Sequence, residues 1–315
     1  MSDQYLEEDL DELPPMKPPV WKEVPFEWPL CHPSDIALDI FTQGLDKRRR
    51  GEVQGLPWPI EWPSLTRYVG PIEPGSLTII AARPSVGKTM MGMHLLRSLC
   101  HHGHKVLFVT RELTVERIIR RHVVSYGADM MRLRTGKTTD NDMKALDNFI
   151  CDSKNWKVWY DDHSKTVEDV RMSMATFDPD CVIVDYLQRF SYGGDNEYKA
   201  ITRLANEFQD VTLTTGVPIV LLSQLRRPEQ GKEFKAPAMS DTRGSGAVEE
   251  RAANLILLHR DWDTIDEDKN GKSTTVAKSA KSEGWFIVAK SADGESDKFI
   301  RVDFDGARMS VKERL

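Results

Sequence analysis

Leu77-Thr-Ile-Ile-Ala-Ala-Arg-Pro-Ser-Val-Gly-Lys-Thr89 is the stretch whose reading decides the fold. Leu77 to Ile80 are apolar or β-branched and predict a buried strand. A loop containing Pro84 and Gly87 follows, and Met90-Met-Gly-Met-His-Leu-Leu-Arg-Ser-Leu99 then sets apolar residues at helical spacing. A strand, a loop, Gly-Lys-Thr and a helix form the setting in which such a string becomes a phosphate cradle. Backbone N–H groups of the loop wrap the β-phosphate, and the helix N-terminus adds partial positive charge. The expected nucleotide-binding set is therefore Arg83, Pro84, Ser85, Val86, Gly87, Lys88, Thr89 and Met90. Lys88 reaches the β/γ-phosphate oxygens, and the Thr89 hydroxyl is placed for Mg²⁺. The full pattern opens with Gly, where this chain has Ala82. The competing reading is an ordinary Gly-Lys-Thr turn after a strand.

Outward from this stretch, apolar runs and helical patterns alternate, as in an α/β domain. Strands are expected near 77–82, 105–110, 156–160, 181–185, 217–223, 253–259, 285–290 and 298–304. Helices are expected near 88–101, 114–126, 140–152, 166–176 and 197–214. Residues 263–283, rich in Asp, Lys, Gly, Ser and Thr, read as a mobile loop between late strands. Gly55 to Gly75, with its prolines and with Trp58 and Trp62, reads as a loop-rich approach to the first strand.

With 315 residues and 40% hydrophobic content the chain can bury a full core. Its net charge of −6 gives no whole-molecule attraction to nucleic acid, so any such binding must be local. Cys31, Cys100, Cys151 and Cys181 have no paired or metal-ligand spacing, which points to a reducing compartment. No apolar run approaches 18 residues, and the N-terminus is acidic. A cytoplasmic protein with neither membrane span nor signal peptide is expected.

Residues 1–33 are acidic and then Pro-rich, and read as an extended or disordered arm. Trp21, Phe26 and Trp28 in it are either anchors for a partner or residues that pack on the chain's own domain. Residues 34–54 read as a helix, opened by Ser34, with Ile36, Leu38, Ile40, Phe41 and Leu45 on an apolar face and Gly51 at its end. That helix either packs on its own core or docks on a neighbouring subunit. Residues 55–315 form the main domain.

Three more strand ends carry candidate chemistry. Glu112 follows the strand 105–110, at the edge where ligands of open α/β sheets collect. A carboxylate there orients or deprotonates the water attacking a γ-phosphate; otherwise it caps a helix or pairs with Arg111. Cys181-Val-Ile-Val-Asp185 is an apolar strand ending in Asp. A buried carboxylate needs a cation, and Mg²⁺ held through water fits Asp185. Gln224 ends the strand 217–223 and either senses the γ-phosphate or simply meets solvent. Beyond Arg226, Arg227, Lys232 and Lys235, the run Ser240-Asp-Thr-Arg-Gly-Ser-Gly-Ala-Val-Glu-Glu250 offers N–H donors suited to single-strand phosphates, or is a plain surface loop.

Taken together, Ile79–Thr89, Glu112, Val184-Asp-Tyr-Leu-Gln188, Leu222-Ser-Gln-Leu225, Met239-Ser-Asp-Thr-Arg243, Ser245-Gly246 and Ala289-Lys290 resemble the RecA-like motor domain of the DnaB-type replicative hexameric helicases. The resemblance runs from about residue 35 to 310, and Ala82 is compatible with it. It implies a RecA-like P-loop NTPase with a mostly parallel central sheet, in a phage- or plasmid-encoded protein. It implies Glu112 as catalytic carboxylate, Asp185 as the Walker B acid, Gln224 as γ-phosphate sensor and Lys290 as a group reaching the neighbouring subunit's nucleotide. Arg243, Gly244, Ser245 and Gly246 would face DNA in the central channel. ATP, or another NTP, and Mg²⁺ are the implied cofactors. Single-stranded DNA, identical subunits in a hexamer, and a primase, loader or other replisome protein contacting the arm are the implied partners.

Two residues depart from the family. Gly244 replaces a Glu on the DNA loop, and Ala292 stands where the family carries an arginine finger. Arg301, on the next strand, is expected to substitute if the strands pair in the right register. The short arm is expected to stand in place of the N-terminal domain that binds primase in this family. The leading expectation is an ATP-driven ring translocase on single-stranded DNA. The alternative is a nucleotide-gated scaffold or helicase-loading ATPase with weak hydrolysis.

Overall fold

The computed structural model describes residues 55–190, 197–226, 236–242, 245–260, 262–267, 273–277 and 283–314. The arm 1–33, the helix expected within 34–54, and Arg227, Lys232, Lys235, Arg243 and Gly244 lie outside the described residues.

The centre is a nine-stranded sheet. Its parallel part comprises β1 (Leu77–Ala82), β2 (Lys105–Thr110), β3 (Lys157–Asp161), β4 (Cys181–Asp185), β5 (Ile219–Gln224) and β6 (Asn254–Arg260). Three antiparallel strands extend it: β9 (Glu283–Ser291), β10 (Lys298–Asp305) and β11 (Ser310–Glu313). The spatial order is β11-β10-β9-β6-β1-β5-β4-β2-β3. This is the α/β architecture expected, and each anticipated strand of the sheet is found within two residues of its expected bounds.

The central strands read as unbroken apolar runs because both sheet faces are covered. Every residue of β1 and of β4 is buried. One face packs on α1 (Pro63–Val69) and α2 (Lys88–His101), where Trp62 meets Phe286 edge-on at 5.3 Å between ring centroids. The other packs on α6 (Val167–Phe177), α7 (Glu197–Thr215) and α8 (Ser245–Arg251), with Phe190 against Phe208. The remaining helices are α3 (Val115–Ser125), α4 (Met130–Thr135) and α5 (Asp140–Ser153).

Several elements differ from expectation. The approach 55–75 contains α1, because Pro63 sits at a first-turn position that needs no N–H donor. Residues 263–283 are not all loop: β7 (Trp262–Glu267) pairs antiparallel with β8 (Ser273–Ala277). Their β-branched residues outweigh the flanking Asp, Lys and Gly. The stretch read as a DNA loop contains α8, so Ser245 and Gly246 stand in a helical first turn. The edge strand β11 was too short to read, and side chains close its outer edge. Val311 N–H donates to His94 Nδ1 at 3.2 Å, and Trp62 Nε1–H donates to Val311 O at 2.8 Å.

Gly284 on β9 is required by close approach. A Cβ there would stand 2.4 Å from the His259 carbonyl oxygen and 2.5 Å from the Phe304 ring. The same ring lies beside Gly87 of the phosphate loop. Gly284→Ala should therefore cost about 1–3 kcal/mol through overpacking. Equilibrium urea unfolding checks this; an unchanged midpoint would show that the strands part freely.

Candidate functional site

The parallel register brings the chemistry to one sheet edge. Ala82 pairs with Gln224, Asp185 pairs with Leu222, and Thr110 pairs with Asp185. The phosphate loop, Glu112, Asp185 and Gln224 thus leave neighbouring strands at their carboxyl ends, where a doubly wound sheet binds ligands. In the loop Ser85 and Gly87 take left-handed backbone conformations, with φ of 63° and 121°. The Gly87 carbonyl accepts from Met91 N–H at 3.0 Å and so starts α2. A Cβ at Gly92 would meet Leu222 Cδ1 at 2.8 Å, so glycine lets α2 lie close to β5.

Lys88, Thr89 and Asp185 form a buried cluster. The Lys88 ammonium stands 3.8 Å from Asp185 Oδ1, and the Thr89 hydroxyl donates to Asp185 Oδ2 at 2.7 Å. Asp185 is fully buried, and its Oδ1 has no hydrogen-bond partner. Burial raises the Asp185 carboxyl pKa, against the lowering influence of Lys88 and Thr89. Burial also pushes the Lys88 ammonium down to about 8, with Asp185 and Glu112 opposing that fall. Lys88 Nζ lies 3.5 Å from the centroid of the Tyr186 ring, a cation–π contact.

An orphaned carboxylate oxygen beside a threonine hydroxyl is a hard-oxygen donor set suited to Mg²⁺. No group of three or more His, Cys, Asp or Glu that would hold a metal occurs among the described residues. Water and phosphate oxygens would have to complete the coordination, as is usual for Mg²⁺. Thr89 and Asp185 fit that role.

Glu112 is exposed at the end of β2. Gln188 was read only as part of a motif, and its role appears in three dimensions. Its Oε1 accepts from Gln224 N–H at 3.0 Å, and its Nε2 donates to Ser223 Oγ at 2.8 Å and to Gln224 O at 3.1 Å. Gln188 thereby fixes the backbone of the proposed sensor. Arg121 on α3 was also missed; it lies close enough to Asp185 and Glu112 to interact with both charges. Arg83 sits 3.9 Å from Asp241, tying the loop to the segment before α8.

Lys290 is not at this edge. It pairs with Leu255, level with Ile79 on β1, and its ammonium donates to the Glu249 carbonyl at 2.7 Å. Arg301 does not replace Ala292: it pairs with Trp285 and stacks on that ring at 5.2 Å. Position 292 lies seven residues from Trp285, roughly 20 Å along an extended strand.

A model of the DnaB-like helicase C terminal domain matches residues 59–313. The chain belongs to that family. The DnaB-like domain is 28% identical over 288 residues to the replicative DNA helicase DnaC of Bacillus subtilis, covering 85% of this chain and 63% of that protein. It is 27% identical to the replicative DNA helicase DnaB of Geobacillus stearothermophilus, covering 86% and 63%. The chain thus spans less than two thirds of the length of these relatives. Among solved structures, a DnaB-like replicative helicase described with its interactions with primase superposes with a TM-score of 0.71 at 20% identity, covering 87% of this chain and 66% of that one. A second solved structure, of an isolated ATPase domain, gives 0.72 at 21% identity, covering 88% and 99%. Both show that the DnaB-like domain has the RecA-like ATPase fold.

The depressed Lys88 pKa has a sign that calorimetry reads. Near pH 8–9 part of the Lys88 population is neutral in the free chain. A polyphosphate placed against it restores the proton, so nucleotide binding should take up protons. Heats measured at pH 8.5 in two buffers of different ionisation enthalpy check this; no buffer dependence, or proton release, would contradict it.

Proposed function

We propose that this chain is the motor of an ATP-driven helicase that translocates on single-stranded DNA during replication, as a ring of identical subunits, a hexamer. The observation that carries the proposal is the buried Lys88–Asp185–Thr89 cluster at the carboxyl edge of a RecA-like sheet. ATP, or another NTP, with Mg²⁺ is the proposed ligand. Arg83 to Met90 cradle the phosphates, and the Lys88 charge meets the β/γ oxygens. Thr89 and Asp185 hold the metal, the latter through water; when bound, it neutralises charge developing on the phosphates. Glu112 orients the attacking water. Gln224, braced by Gln188, reads the presence of the γ-phosphate. Lys290 stands level with Ile79 and not at the carboxyl edge that carries Lys88, which suits a role at a neighbouring subunit's nucleotide.

The stretch from Arg243 to Gly246 is the proposed DNA contact, made to phosphates through side-chain charge and helix-terminal N–H groups. The proposed domain plan is an arm over 1–33, a linker helix over 34–54 and the ATPase domain over 55–315. Primase, a loader or another replisome protein would contact the arm, and the setting would be the cytoplasm of a bacterium. Among the described residues no helix is long and apolar enough to cross a membrane.

Steady-state ATPase with and without single-stranded DNA tests the reading. Lys88→Ala should abolish turnover and weaken nucleotide binding, whereas Glu112→Gln should bind normally and not turn over. Hydrolysis by Glu112→Gln at the parental rate would remove Glu112 from the mechanism. DNA binding should weaken steeply with salt and little with sequence; filter binding at several salt concentrations on unrelated oligonucleotides checks it, and strong preference for one sequence would contradict phosphate tracking.

A further inference from the structure

A groove of about 1070 Å³ runs along the flank of α2, bounded by the β10–β11 turn and the end of α3. Arg97 lines it and is only 9% exposed. Its Nη2 donates to the Met309 carbonyl at 2.9 Å. Its Nη1 is buried and makes no hydrogen bond, and among the described residues Arg97 has no ion-pair partner. A buried guanidinium without an anion is costly, and burial lowers its pKa from the ordinary arginine value.

Two further cations line the groove with unused donors. Arg260 lies over the Phe304 ring at 5.4 Å, and its buried Nε has no partner. Lys312 is exposed on β11. The lining is balanced in formal charge, with four Arg or Lys and four Asp or Glu. Its hydrogen bonding is not balanced. Glu61 faces His94 Nε2 at 3.4 Å and is held down to about 2, first by that contact. Asp303 accepts from Arg314, Asp305 accepts from the Arg308 N–H, and Glu313 accepts from the Ser64 N–H. His94 adds no charge, because burial lowers its pKa and its Nδ1 accepts from Val311. The carboxylates are engaged, while Arg97 Nη1 and Arg260 Nε have no partner and no hydrogen bond or ion pair holds the exposed Lys312 ammonium among the described residues.

We propose that this groove is an anion site, separate from the phosphate loop, which takes a phosphate-bearing small molecule up to the size of a nucleotide. Arg97 meets the phosphate, and Lys312 and Arg260 close around it. The volume suits such a ligand, and the half-buried Tyr126 in the lining offers an apolar ring. Arg97 stands nine residues after Lys88 on the same helix, about 14 Å along its axis. One phosphate cannot touch both. A ligand here would grip the middle of the helix whose first turn carries Lys88 and Thr89.

The test uses the full chain carrying Lys88→Ala, which weakens phosphate binding at the phosphate loop, and calorimetry with pyrophosphate in the absence of divalent metal. Saturable binding at one site per chain is expected. Adding Arg97→Met should weaken it about tenfold or more, as for loss of a charge-assisted hydrogen bond. Adding Lys312→Ala, an exposed change that leaves the core alone, should weaken it several-fold. AMP binding tighter than pyrophosphate would identify a nucleotide as the ligand; equal or weaker binding would identify a free phosphate species. No saturable binding in Lys88→Ala would overturn the proposal. So would affinity unmoved by both added changes, or by Lys312→Ala alone if Arg97→Met fails to fold. ATP turnover by the parent chain is independent of every one of these outcomes.

Discussion

A carboxylate buried without enough partners governs this domain. Asp185 ends a strand whose every residue is buried, and one of its oxygens accepts nothing. Folding places a charge there at a cost that Lys88 and Thr89 only partly offset. The ammonium is strained in the same way, held at about 8 by its own burial. Such a pair favours the arrival of a polyanion with a divalent cation, which would satisfy both groups at once. Its position follows from the parallel register, since only the carboxyl ends of β1 and β4 bring Lys88, Thr89 and Asp185 together.

Around that cluster the fold works as a mounting. Gly92 lets α2 approach β5, and Gly284 lets β9 approach Phe304, whose ring lies beside Gly87. Gln188 joins the end of β4 to the end of β5 through three hydrogen bonds. A change at Gln224 is thereby coupled to the strand that carries Asp185. Arg83 joins the loop to Asp241, which precedes the proposed DNA-contacting stretch. These contacts give a physical route by which loss of a γ-phosphate would be felt at the segment around Arg243.

The central sheet was legible in the sequence because covered strands are apolar on both faces, as in Leu77–Ala82 and Cys181–Asp185. Lys88, Thr89 and Asp185 were legible because the first two lie in one contiguous motif and the third ends an apolar strand. Gln188, Tyr186 and Arg121 were not, because their roles depend on contacts across strands that no local pattern encodes. The helix α1 hid behind its initial Pro63, and α8 behind Gly and Ser. The pairing of β7 with β8 was masked by charged and glycine-rich flanks. Arg301 as a substitute for Ala292 failed on register, which sequence leaves open: it lies opposite Trp285.

The central claim is that Asp185 is kept buried and charged for a metal-bound nucleotide, at the expense of the empty fold. Thermal unfolding of Asp185→Asn, with and without ATP and Mg²⁺, tests it most directly. The account predicts that the variant is at least as stable as the parent when no ligand is present, and that it loses most of the stabilisation by Mg²⁺–ATP. A variant clearly less stable without ligand, yet stabilised by Mg²⁺–ATP as fully as the parent, would contradict it.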